Sequence, residues 1–70
     1  MTGKIYSLYG PIMMTGLELR RIRKRLGLTQ QAFAKKIGVT ANTVARWERG
    51  AVGIGEPIAR LIRLLAKKEG

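Results

Sequence analysis

Asn42 and Arg46 are four residues apart in a stretch patterned as a helix, so they share one exposed face. The pair offers hydrogen bonding of a particular kind. An asparagine amide both donates and accepts and fits the edge of adenine, and an arginine fork donates twice and fits guanine. Thr43 and Arg49 lie within reach of flanking positions. The charge of the chain points the same way. Lysine and arginine number 14 against 4 acids, a formal net charge of +10. On a chain of 70 residues this surplus predicts a polyanionic partner, with nucleic acid first and an anionic membrane surface second.

Other chemistry is poorly supplied. Cysteine and histidine are absent, which removes disulfides, thiolate metal sites, the commonest general base and the commonest metal ligand. Glu18, Glu48, Glu56 and Glu69 are the only acids and none are adjacent, so a carboxylate acid/base pair is not expected. There is no phosphate-cradling loop. The expectation is therefore no enzyme, no metal, no cofactor and no small-molecule ligand. No apolar run approaches the roughly 20 residues needed to span a bilayer. Nor does the N-terminus carry a basic start, a long apolar stretch and a small-residue cleavage site. These features suggest a soluble, cytoplasmic, nucleoid-associated protein with no membrane partner.

The elements that must position Asn42 and Arg46 can be read from caps and periodicity. The length allows one domain with a small core. Residues 1–14 read as an N-terminal arm, flexible or strand-like, and residues 15–70 as the folded domain. The arm holds a Gly10-Pro11 breaker, and Lys4 to Tyr9 has loose strand character. It could be a flexible or non-native extension, or a short strand that pairs with a second chain. Met1-Thr2-Gly3 recurs as Met14-Thr15-Gly16, so Met14 could be an alternative translation start.

Thr15 with Glu18 fits a capping box for a first helix over residues 16–26, with Leu19, Ile22 and Leu26 inward and Gly27 as its stop. Thr29 caps a second helix over 30–37, with Phe33, Ala34 and Ile37 inward and Gly38 ending it. Thr40 caps a third over 41–49, with Val44 and Trp47 inward and Gly50 closing it. Trp47 could also stack on a sugar or base, but core packing is the better reading. Residues 51–55 read as a loop. Pro57 suits the first turn of a fourth helix whose inward stripe would be Ile58, Leu61, Ile62 and Leu65.

Residues 29–50 then read as two short helices joined by a tight turn. Where the helices cross closely a small residue is needed, and Ala34 supplies it. Gly38 tolerates the positive φ of a sharp reversal. Val44 drops a branched apolar side chain into the shared core.

With these elements in place, the chain resembles the Cro/phage-repressor (xenobiotic response element) helix-turn-helix family. The resemblance is carried by Leu26-Gly27-Leu28-Thr29-Gln30, Phe33-Ala34, Gly38-Val39-Thr40 and the run from Val44 to Gly50. It extends over about residues 17–65. It implies an all-α fold: a compact four-helix bundle of the lambda-repressor-like DNA-binding type with a short N-terminal arm. It also implies sequence-specific binding of double-stranded DNA by a transcriptional regulator, a repressor by expectation. Helix 41–49 would read the major groove.

The same resemblance places base-facing roles on Ala41, Asn42 and Arg46, with Thr43 beside them. Ala41 could only pack against a thymine methyl. Phosphate contacts fall to Gln30, whose helix N-terminus suits an anion, and to Thr40, Arg49, Lys35 and Lys36. Thr40 serves as a cap, with or without the phosphate contact. Arg20, Arg21, Lys24 and Arg25 crowd helix one, where a solvated face is the ordinary explanation and phosphate contact by some is an addition. Arg23 is different: the family pairs an arginine here with a glutamate matching Glu48, which implies a partly buried salt bridge. A homodimer on a palindromic site is expected, through Leu64 and Ala66 or through the arm. The alternative is an antitoxin-like interaction module whose DNA binding is autoregulatory. A generic polyanion or membrane-surface binder would leave the caps and the Ala34, Gly38, Val44 spacing unexplained.

Overall fold

Each helix begins and ends where local chemistry puts it. The computed structural model describes residues 6–7 and 10–69. Helix α1 (Gly16–Arg25), α2 (Gln30–Ile37) and α3 (Ala41–Glu48) each start on a threonine whose hydroxyl accepts an amide proton of the first turn. These bonds are Glu18 N to Thr15 Oγ1 at 3.1 Å, Ala32 N to Thr29 Oγ1 at 3.0 Å and Thr43 N to Thr40 Oγ1 at 3.2 Å. Gly38 ends α2 at φ 83°, and the Gly38 and Val39 amides both return to the Ala34 carbonyl. That reversal leaves only Gly38, Val39 and the cap Thr40 between α2 and α3. Helix α4 (Glu56–Glu69) carries Pro57 in its first turn, where the missing amide costs nothing.

The four helices enclose one core. Leu19, Phe33, Val44, Ala59 and Ile62 are fully buried, with Ile22, Ala34 and Trp47 nearly so. Trp47 packs in this core. Helices α2 and α3 pack most extensively on each other, and α1 packs on α3. The all-α reading holds, with one addition. Three short strands, β1 (Tyr6–Ser7), β2 (Gly10–Met14) and β3 (Ile54–Gly55), lie in the order β1-β2-β3, all antiparallel. Ile12 faces Gly55 and Met14 faces Ile54, with an irregularity in register between them.

This ribbon departs from the sequence expectations in several ways. The Gly10-Pro11 pair is inside β2 rather than breaking the chain. The strand finds its partner in its own chain, at residues 54–55, where the sequence suggests a loop. The repeated Met1-Thr2-Gly3 and much of the stretch from Lys4 to Tyr9 lie outside the described residues. Met14, on the arm side of the expected boundary, is a core residue, as is Ile54.

The inward stripe of α4 is also rotated. Ala59 and Ile62 are its buried residues, with Ile58, Leu65 and Ala66 packed at the edge of the core, while Leu61 is 42% exposed. The reason is the ribbon, since β2 and β3 both pack on α4 and draw its Ala59 side inward.

One close approach has no side chain to announce it. A Cβ placed on Gly16 would collide with the Trp47 carbonyl oxygen and lie 2.5 Å from that of Glu48. The first turn of α1 thus rests directly on the last turn of α3. A helical glycine replaced by alanine ordinarily gains up to about 1 kcal/mol. Here Gly16→Ala is expected to lose about 1–3 kcal/mol instead, the range for overpacking. Urea unfolding monitored by Trp47 fluorescence reads the sign directly.

Candidate nucleic-acid interface

The site is built on α3, whose two sides have opposite character. Val44 and Trp47 are buried, which fixes the helix by one face. Asn42, Arg46 and Arg49 are exposed on the other, and Ala41 and Thr43 are half-buried at the flank. The spacing expected from sequence therefore produces one polar, outward surface. Thr43 is partly committed, because its hydroxyl lies 3.0 Å from that of Thr40. Thr40 is both the cap of α3 and a partner of that hydroxyl.

Behind this surface a charged cluster ties three segments together. The Arg23 guanidinium donates from Nε to Glu48 Oε2 at 2.6 Å and from Nη2 to Glu48 Oε1 at 3.1 Å. Its Nη1 donates to the Leu28 carbonyl at 2.9 Å, in the turn between α1 and α2. Gln30, at the start of α2, donates from Nε2 to Glu48 Oε1 at 3.2 Å. Both charged side chains are largely buried, 11% and 7% exposed. Among the described residues no buried side-chain polar atom lacks a partner. The Arg23–Glu48 pair is thus present as the resemblance implied, and it is bidentate.

The network reaches further than sequence reasoning placed it. Leu28 and Gln30 both belong to it. Gln30, expected at a phosphate, spends one side-chain N–H on Glu48, which leaves its second side-chain N–H and the backbone N–H at the N-terminus of α2 for an anion. The opposed charges show in the titration. Burial pushes the Glu48 carboxyl up, but hydrogen bonds from Arg23 and Gln30 and the charges of Arg23 and Arg20 outweigh it and hold the carboxyl below its usual range. Arg23 is held above its ordinary value, chiefly by its hydrogen bond to Glu48, so it stays charged.

A shallow recess opens over this network, lined by Arg20, Arg23, Gln30, Ala45, Glu48 and Arg49. Since Glu48 neutralises Arg23, Arg20 and Arg49 supply its surplus positive charge, next to the polar face of α3. The cations of α1 therefore divide. Arg20 stands at the recess, whereas Arg21 and Arg25 line a different groove, against α4. Lys35 and Lys36 are exposed in the last turn of α2. Thr15 and Glu18 share a cap bond, and the Glu18 carboxylate also faces Arg63 of α4 at 3.3 Å.

A family model described as helix-turn-helix matches residues 19–68, most of the chain and all of α2, the turn and α3. The chain belongs to the Cro/repressor-type helix-turn-helix family. Comparison with curated proteins gives no match. Membership makes this helix-turn-helix chain a DNA-binding transcription regulator in general, in a family that is not enzymatic. Double-stranded DNA is its partner. Among the described residues no helix is long and apolar enough to cross a membrane.

Two measurements check the buried network of this helix-turn-helix domain. Glu48→Ala strands Arg23 without its counter-charge and is expected to cost about 3–5 kcal/mol in urea unfolding. The second is its pH dependence. With the folded carboxyl depressed, the contribution of Glu48 is complete above the unfolded glutamate value of about 4.3 and is lost as pH falls through the lower folded value. Acid titration of stability should therefore slope downward below about pH 4.3, and Glu48→Gln should flatten that slope.

Proposed function

We propose that this chain is a sequence-specific repressor that reads the major groove with α3. The observation that carries the reading is the two-sided helix: Val44 and Trp47 lock one face while Asn42 and Arg46 project from the other. Asn42 reads adenine and Arg46 reads guanine. Ala41 packs against a thymine methyl, and Thr43 contributes at the edge. Arg49, together with the N-terminal amides of α2 at Gln30, grips the phosphates on one side, with Arg20 supporting them. Lys35 and Lys36 add charge from α2, and the hydroxyl of Thr40 adds a contact at the tip of α3. These contacts set the register, and the base contacts set the specificity.

A single α3 covers few base pairs, so the binding unit is a homodimer on a palindromic site. The exposed Leu61 and Leu64 of α4 support a self-association surface. Ala66, expected beside Leu64, packs against the core instead. The antitoxin-like alternative uses the same α3 face and adds a second protein. Stable co-purification of a heterologous partner would favour it. A DNA-binding protein of this kind works in the cytoplasm, on the nucleoid.

Selection of bound duplexes from a random pool tests the reading. An enriched motif with two symmetric halves is expected, and no enrichment would overturn it. With that motif in hand, Arg46→Ala should lose about 1–3 kcal/mol concentrated at one base position. Arg49→Ala should weaken all sequences alike and lower the salt slope by about 1. A uniform loss for Arg46→Ala would make Arg46 a backbone contact.

A further inference from the structure

A second basic surface lies between α1 and α4 and has no part in the reading above. Arg21 and Arg25 of α1 and Arg63 and Lys67 of α4 rim a groove whose floor is the half-buried Ala66 and the small exposed edge of Ile22. Glu18 is the one carboxylate among its described lining residues, and it already faces Arg63. Arg21 and Arg25 are each two residues from Arg23, hence about 160° around the helix from the side chain that reaches α3. The groove therefore lies on the side of α1 turned from α3, and its cations are none of those placed on the duplex above.

We propose that this groove docks an acidic, amphipathic segment of a partner protein while DNA is bound. Charge complementarity selects the occupant. Beside the Arg63–Glu18 pair, the exposed Arg21, Arg25 and Lys67 call for an anionic ligand, and their aliphatic stems with Ala66 call for one that carries apolar side chains. A phosphate backbone offers no such side chain. Among the described side chains a second copy of this chain has no acidic face to give: Glu18 lies in the groove itself, Glu48 is held by Arg23, and Glu56 faces Arg60 at 2.8 Å; the one remaining acid, Glu69, does not make a face. In the bound segment, leucine-like side chains cover Ala66, the exposed edge of Ile22 and the aliphatic stems of Arg21, Arg25 and Lys67, while carboxylates face the charged ends of those three side chains.

The test uses a short fluorescent peptide with two leucines at helical i, i+4 spacing among glutamates, and a control with both leucines changed to serine. Binding is read by anisotropy, with and without saturating duplex, and mapped by amide shifts of the labelled protein. The leucine peptide should bind with duplex present and shift the amides of Ile22 and Ala66. The serine peptide should bind at least about tenfold more weakly, given the apolar area it forgoes. The combined variant Arg21→Gln, Arg25→Gln, Lys67→Gln removes only exposed side chains. It should weaken the leucine peptide about tenfold. Its duplex affinity at ~0.15 M salt should change by less than about threefold, because distant charges are screened there.

Equal binding of the two peptides would overturn the proposal, reducing it to generic charge attraction. Competition between peptide and duplex, or a matching loss of duplex affinity in the variant, would assign the groove to DNA. The peptide is also measured without DNA, so a failure to bind any duplex would sink the repressor reading and leave the groove result readable.

Discussion

The bidentate Arg23–Glu48 bond is the joint on which the rest of this structure turns. One arginine on α1 holds the last residue of α3, the Leu28 carbonyl of the first turn and, through the shared carboxylate, the start of α2. Buried ion pairs are weak evidence for stability, because desolvation consumes much of the attraction. Their strength lies in geometry. A guanidinium fork accepts a carboxylate in few orientations, so the pair dictates where α3 stands more sharply than apolar contacts can. Phe33, Val44 and Trp47 supply the burial, and the ion pair supplies the angle.

That division of labour explains how so small a domain presents a rigid polar surface. Helix α3 has eight residues, well below the length at which an isolated helix is stable in water. It persists because Thr40 caps it, two of its side chains are buried and its last residue is clamped. Each restraint acts on the face or ends away from Asn42 and Arg46, so those side chains stay available while their backbone is held.

The caps, the glycine stops and the bounds of α2 were legible in the sequence because each depends on residues within a turn of one another. The outward face of α3 followed from the same local periodicity. Arg23 with Glu48 needed the family resemblance, since nothing local links positions 25 apart. What escaped were features created by long-range contact. Ile54 is a lone branched residue between glycines and carries no alternation to mark a strand, yet Met14 makes it one. Leu61 fits the i, i+3, i+4 stripe as well as any residue of α4, and only the ribbon turns it outward. Gln30 offers an amide equally suited to a phosphate or a carboxylate, and tertiary proximity to Glu48 decides which it meets.

The seam at Gly16 also shapes the electric field of the domain. The leading end of α1, with its partial positive charge, abuts the trailing end of α3, with its partial negative charge, and the two poles offset each other inside the protein. The opposite pole of α3, at Thr40, is exposed. Helix α3 therefore shows a polyanion its attractive tip while its repulsive tail is masked.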